Sequence, residues 1–265
     1  MPPTSDPPEA EGPPTLDIAD GVATITLRRP SQRNSLHDAD LRALLDHCAT
    51  IDADASIHAA VLRARTDGQP RPVFSAGYHV GGFDGQTHDP QLFERVPDAI
   101  ERLRPPTLCA LGGSVYGGAT DLVLACDLRV ALAGAEWRMP AVALGLHYYP
   151  AGLRRYVTRF GLNAAKRAFL TAQALPVESL AALGLFEDIA SADRFEAAVT
   201  ELVQTLSGLA PLAAQTTKRS LNEIAAGHYD LDALRSREAL TAASEDFAEG
   251  RAAFAARRRP RFVGR

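Results

Sequence analysis

Two glycine-bearing turns carry the first chemical signal in this chain: Phe74-Ser75-Ala76-Gly77-Tyr78 and Gly112-Gly113-Ser114-Val115-Tyr116-Gly117-Gly118-Ala119. Glycine lets backbone approach a ligand closely. The second turn runs into a helix-like segment, Thr120-Asp121-Leu122-Val123-Leu124-Ala125-Cys126-Asp127. The first amides of a helix have no internal partner and favour negative charge. One amide from each turn, converging on one oxygen, would stabilise an oxyanion. Asp121 falls in the first turn of that helix, as an acid/base candidate or as a partner of the helix dipole. Further on, Leu144-Gly145-Leu146-His147-Tyr148-Tyr149-Pro150 sets an imidazole beside two phenols, either as polar groups at a site or as an aromatic packing cluster.

The elements that must position these groups read as follows. Each turn follows apolar strand-like sequence, Ala59 to Ala64 with Val73-Phe74, and Leu108 to Leu111. Val22 to Leu27 alternates as a strand, and Leu128 to Ala133 is another short strand. Asp38 to Asp52 carries Leu41, Leu44, Leu45, Cys48 and Ile51 at helical spacing. Gln91 to Leu103 reads as a helix ending before Pro105-Pro106. This alternation predicts an α/β core with a largely parallel sheet. From Gly152 the pattern turns helical, with segments over Ala164 to Leu170, Val177 to Leu183, Phe195 to Leu209, Leu212 to Ile224 and Leu231 to Phe254. No internal repeat stands out.

Composition narrows the class. With 265 residues, 46% of them hydrophobic, the chain is long enough for a large core. A net charge of −4 gives no bulk case for nucleic acid or a membrane surface as partner, although Arg257-Arg258-Arg259-Pro260-Arg261 forms a local basic cluster. Residues 1–15 are rich in proline, lack a basic start and an apolar core, and read as a disordered tail rather than a signal peptide. Cys48, Cys109 and Cys126 are scattered, which suits reduced buried thiols in the cytoplasm. His37, His47, His58, His88 and His228 have no metal-ligand spacing, so no metal is expected.

At the two turns the chain resembles the crotonase superfamily, the enoyl-CoA hydratase/isomerase family, and the resemblance runs from about Leu16 to the C-terminus. It implies a core of repeated ββα units over 16–205, followed by a C-terminal helical region over 206–265 that builds trimers or dimers of trimers. It further implies that the amides of Tyr78 and Gly118 form an oxyanion hole for a thioester enolate. Hydratases of the family place a glutamate where Asp121 stands, and a second one after the proline of Trp137-Arg138-Met139-Pro140, where this chain has Ala141. Hydration or isomerisation by that carboxylate therefore does not transfer. Gly113 to Ala119 and Leu144 to Tyr148 resemble the methylmalonyl-CoA decarboxylase branch, which has a tyrosine at Tyr148 and an acid at Asp121, but a histidine where this chain has Tyr78.

The same resemblance implies CoA contacts from the turn Arg33-Asn34-Ser35, from Ala76, and from the C-terminal Phe254 and Arg257. His79, Ala141 and His147 would line the site, with Asp121 and Tyr148 as catalytic groups. The expected function is an acyl-CoA-processing enzyme that needs no cofactor, CoA being part of its substrate. A malonyl-type CoA decarboxylase and a non-catalytic acyl-CoA-binding protein are the alternatives.

Overall fold

In the computed structural model, residues 10–79, 89 and 91–265 are described; residues 1–9 of the expected tail, and His88, lie outside them. The chain opens with an antiparallel pair, β1 (Gly12–Ala19) and β2 (Val22–Arg28), and the helix α1 (Asp38–Ala53). Three units of one design follow. In each, a first strand is followed by a second, shorter strand and then a helix: β3 (Ala59–Ala64), β4 (Val73–Ser75) and α2 (Leu92–Arg102); β5 (Thr107–Leu111), β6 (Ser114–Tyr116) and α3 (Ala119–Ala125); β7 (Leu128–Leu132), β8 (Glu136–Arg138) and α4 (Pro150–Thr171).

First strands and second strands form separate sheets. The larger has the order β1-β2-β3-β5-β7-β10, where β10 is Asp188–Ala190, and every pairing beyond β1-β2 is parallel. The smaller has the order β4-β6-β8-β9, where β9 is Leu175–Pro176. The ββα repeat that the sequence did not display is therefore present, and the α/β expectation holds.

One buried cluster joins both sheets to α1–α4 through Leu27, Leu41, Leu62, Phe74, Val96, Leu111, Val115, Leu122, Trp137 and Tyr156. Past the short helix α5 (Val177–Leu180), a second cluster seats α6 (Phe195–Ser207) on the larger sheet through Phe195, Ala198, Val199 and Leu206. Four buried residues in a row, Ala59 to Leu62, fit a parallel strand covered on both faces.

Two expectations need correction. The tail does not extend to residue 15: β1 starts at Gly12, and Thr15 pairs with Thr26. Pro13 and Pro14 are tolerated because β1 is an edge strand with a register shift, and their carbonyls accept from Arg28 Nε at 2.7 Å and His47 Nε2 at 2.8 Å. The helix expected over Leu231 to Phe254 is two helices, α8 (Leu231–Ala242) and α9 (Glu245–Ala255). The break falls at Ser244, whose hydroxyl caps α9 by accepting from the Phe247 amide. Between α6 and α8 runs α7 (Pro211–Ala225), tied to the core by Lys218 Nζ at 2.7 Å from Asp127 and by Asn222 donating to the Glu101 carbonyl.

Candidate active site

The smaller sheet brings the two glycine turns into contact. Because β4 and β6 pair in parallel, the chain leaves both strands at the same end. Gly77 sits at φ 92°, and a Cβ built there would lie 2.7 Å from the Tyr116 carbonyl oxygen and 3.4 Å from the Gly118 nitrogen. No other residue type fits that approach. At the opposite end of the strands, a Cβ on Gly113 would fall 2.5 Å from the Pro72 carbonyl carbon.

Hydrogen bonds fix each turn. The Leu36 amide donates to the Gly77 carbonyl and the His79 amide donates to the Leu36 carbonyl, each at 2.9 Å. Backbone groups alternate sides along an extended segment, so the Tyr78 amide between them is turned away from Leu36. In the second turn Gly117 adopts φ 57° and donates its amide to the Arg138 carbonyl. Its own carbonyl accepts from the Thr120 hydroxyl at 2.7 Å; the Thr120 oxygen accepts from the Tyr156 hydroxyl, which in turn accepts from Trp137 Nε1. Gly118 stands at the start of α3, and its amide meets no acceptor among the described residues. The Phe93 ring covers this glycine, 2.6 Å from where a Cβ would stand. The same ring lies 5.7 Å from the Tyr78 ring and 6.1 Å from the Tyr149 ring.

Arg33 and Asn34 both take left-handed backbone, at φ 53° and 50°. Asn34 is buried and its side chain is consumed: Oδ1 accepts from the Arg29 amide, while Nδ2 donates to the carbonyls of Arg65 and Val73. The Ser75 hydroxyl donates to the Asn34 carbonyl, and the Ala76 amide donates to the Arg33 carbonyl. Asn34 thus staples the Arg33 turn to β4. Ser35 is half-buried in the same turn. Arg33 itself is exposed, with its guanidinium 5.4 Å from the Tyr116 ring centre. Together with Ala76, Tyr116, Glu136, Arg138 and Pro140 it lines a groove of about 410 Å³.

On the other side of Gly118 lies a buried charge cluster. Asp121 and Arg155 are both 0% exposed. Arg155 grips Asp121 as a fork, Nε to Oδ1 at 2.9 Å and Nη2 to Oδ2 at 2.7 Å, and the Tyr149 hydroxyl also donates to Oδ2. Nη1 of Arg155 reaches Asp98 at 2.9 Å and Glu101 at 3.1 Å. Burial would pull the Arg155 pKa down, but the bonds from Asp121 outweigh it and hold it above its ordinary value. Burial first, then the Asp121 charge, pushes the Tyr149 hydroxyl far above the usual phenol range. Tyr148 is raised by the same two causes in the same order. Its ring centre is 4.3 Å from that of Tyr149, and its hydroxyl donates to the Tyr149 oxygen at 3.2 Å. Tyr78 is raised to about 12 by burial and by its bond to Asp38.

The remaining expected site residues divide. Ala141 is buried at the start of a single helical turn, Val142–Leu144. His147 is exposed, and His79 is exposed with its ring centre 4.8 Å from that of His37. Phe254 is 88% exposed, and neither it nor Arg257 lines the Arg33 groove. Sequence reasoning missed Phe93, Tyr149 as the partner of Asp121, and Arg155. Asp98 and Glu101, three apart on α2, were the available hint that a buried cation faces that helix.

Four similarities to known proteins bear on this geometry. The sequence pattern of the family described as "Enoyl-CoA hydratase/isomerase" matches residues 17–265. Methylmalonyl-CoA decarboxylase of Escherichia coli is 25% identical, over 92% of this chain and 95% of its own. From the same organism, 2,3-dehydroadipyl-CoA hydratase is 28% identical over 92% and 96%. A solved enoyl-CoA hydratase/carnithine racemase from Magnetospirillum magneticum superposes with a TM-score of 0.87 at 25% identity, covering 97% of each chain.

The fork makes a stability prediction. Arg155→Met strands a buried carboxylate and should cost about 3–5 kcal/mol. Adding Asp121→Asn to that variant should recover a large part of the loss. A double-mutant cycle in urea measures the coupling, and strictly additive losses would contradict a paired role.

Proposed function

The chain belongs to the enoyl-CoA hydratase/isomerase family, and we propose that it processes acyl-CoA thioesters by holding the thioester oxygen between the amides of Tyr78 and Gly118. The observation that carries this reading is the contact between the Gly77 and Tyr116–Gly118 turns. Charge grows on the thioester oxygen as an enolate forms. Donors already fixed at that point favour the enolate over the ground state without further reorganisation. Arg33, exposed and seated on Tyr116, offers a forked contact for the phosphates of CoA, and Ala76 lines the same groove, where the pantetheine arm would run. The CoA group arrives with the substrate, so the reading includes no separate cofactor.

Among reactions that share an enolate, decarboxylation of a malonyl-type thioester fits this site better than hydration. Hydration needs groups that place and deprotonate water while the α-carbon is protonated. Ala141 supplies no such group, and both oxygens of Asp121 are engaged by Arg155 and Tyr149. Decarboxylation needs less: the C–C bond to the carboxylate breaks, its electron pair enters the enolate held by the two amides, and carbon dioxide leaves. The α-carbon then takes a proton from solvent water, whose hydroxide is taken up by the carbon dioxide as bicarbonate. The relatives do not separate the two reactions, the decarboxylase being 25% and the hydratase 28% identical, so the choice rests on Ala141 and on the engaged oxygens of Asp121.

An oligomer, a trimer or dimer of trimers, completes the reading. The helices α7–α9 leave Leu221, Leu231, Leu240 and Phe254 exposed. In such an assembly Phe254 and Arg257 would approach a CoA site that they do not line within one chain. A cytoplasmic location is consistent with three buried free thiols, and no helix among the described residues is long and apolar enough to cross a membrane.

Two measurements test these statements. Purified protein should turn over a malonyl-type CoA thioester, while crotonyl-CoA hydration stays weak, lower by about 10²–10⁴-fold than a two-carboxylate site would give. Robust hydration that Ala141→Glu leaves unchanged would overturn the assignment. CoA binding without turnover of any thioester would make the protein a binder. Light scattering at micromolar concentration should report a trimer or hexamer; a monomer contradicts the assembly.

A further inference from the structure

Away from the oxyanion turns the molecule carries a second groove, of about 710 Å³. That size falls in the range of about 300–1,000 Å³ usual for small-molecule sites. It lies past the far end of α3. Gly118 starts that helix, whereas Asp127 and Leu128, which follow its end, line the groove. The 7 residues of α3 span about 10 Å between the two places. Leu206 on α6, Leu209 just beyond it, Leu221 on α7 and Phe262 give the groove an apolar wall. Leu209 and Leu221 are 43% and 60% exposed, so the chain itself leaves that wall uncovered. Phe262 is held in place, because the buried Asp246 carboxylate accepts from the amides of Val263 at 2.7 Å and Gly264 at 2.9 Å.

The charges in this groove do not balance. The Asp127 carboxylate is fully engaged through Oδ2, which accepts from the Thr107 amide and hydroxyl and pairs with Lys218 Nζ at 2.7 Å. Lys218 therefore cancels Asp127. Arg159, half-buried on α4 in the same groove, has no hydrogen-bond acceptor and no ion-pair partner among the described residues. Nearby, the buried Arg129 spends its guanidinium on the carbonyls of Val123, Cys126, Asp127 and Leu185. Burial first, then the charge of Arg159, pulls the Arg129 pKa down. A positive charge that is partly withdrawn from water and left unpaired is costly. An arginine fork matches a carboxylate with two parallel bonds.

We propose that this groove binds an aliphatic monocarboxylate, a free fatty acid of medium chain length, with its carboxylate in the fork of Arg159 and its tail along Leu206, Leu209, Leu221 and Phe262. Head and tail both follow from the lining. One unanswered cation calls for one negative charge. Large aliphatic and aromatic side chains call for hydrocarbon rather than for a sugar or a peptide backbone, whose polar groups would go unmatched there. A phosphate monoester or a dicarboxylate would bring a second charge, and Lys218 is already taken by Asp127. The site stands apart from the oxyanion turns and does not depend on what those turns process.

Calorimetry on the intact protein with octanoate and octanol, which share a tail and differ in the charge of the head, tests the assignment. The wild type should bind octanoate about 10-fold or more tighter than octanol. Arg159→Gln should bring octanoate within about 3-fold of octanol and leave octanol unchanged. Leu209→Asp, at an exposed position, places a carboxylate in the apolar wall and should weaken octanoate by about 10-fold or more. It locates the ligand even if Arg159→Gln fails to fold. Octanoate binding no tighter than octanol, or binding that either folded variant leaves unchanged, overturns the proposal. Light scattering on the same samples addresses a different occupant. If the wild type ignores octanoate while Arg159→Gln dissociates an oligomer, a second copy of the chain covers the groove and the fatty acid site falls.

Discussion

The site depends on how closely two pieces of backbone approach. Gly77 has room for a hydrogen and nothing more against the Tyr116 carbonyl, and Gly117 Cα and the Gly118 nitrogen come next, each 3.4 Å from where a Cβ would stand. Parallel pairing of β4 and β6 sets that distance, and the hydrogen-bond chain Trp137–Tyr156–Thr120–Gly117 holds the second turn from beneath. The Trp137–Tyr156 and Tyr156–Thr120 bonds are buried, where leaving a donor unmatched costs about 1–3 kcal/mol. The geometry is therefore backed by the core rather than by the loops alone. Amides fixed in this way cannot relax toward a ground-state carbonyl, which is the property an enolate requires.

A second constraint acts one helical turn further on. A carboxylate can be stored in a core only if it is paired and hydrogen-bonded. Asp121 meets that condition through Arg155 and Tyr149, and by meeting it gives up the freedom an acid/base group needs. The same contacts that stabilise the core thus hold both carboxylate oxygens in fixed bonds.

Much of the fold was legible in local pattern. Ala59 to Ala64 is the strand read from its apolar run, and Asp38–Ala53 is the helix read from its spacing. The glycine turns stood out because glycine is the residue such approaches require. The ββα repeat was not legible because the second strand of each unit is only three residues long, too short for alternation to show. The start of β1 was hidden by Pro13 and Pro14, which an edge strand tolerates. At the site, Asp121 was visible as a residue, but its state was not. Arg155 lies 34 positions away on another helix, and only the tertiary fold brings the pair together. The Asn34 side chain, in a turn read for its backbone, holds that turn to β4, a task only the tertiary fold reveals.

The central claim is that two backbone amides, from Tyr78 and Gly118, polarise one thioester oxygen. The most direct measurement is the infrared carbonyl stretch of butyryl-CoA, labelled with carbon-13 at the thioester carbon and bound to the protein. Two converging donors weaken the carbonyl bond, so the band should move to lower frequency than in water. A band at its aqueous position or higher, with the ligand demonstrably bound, would show that the two amides do not share that oxygen.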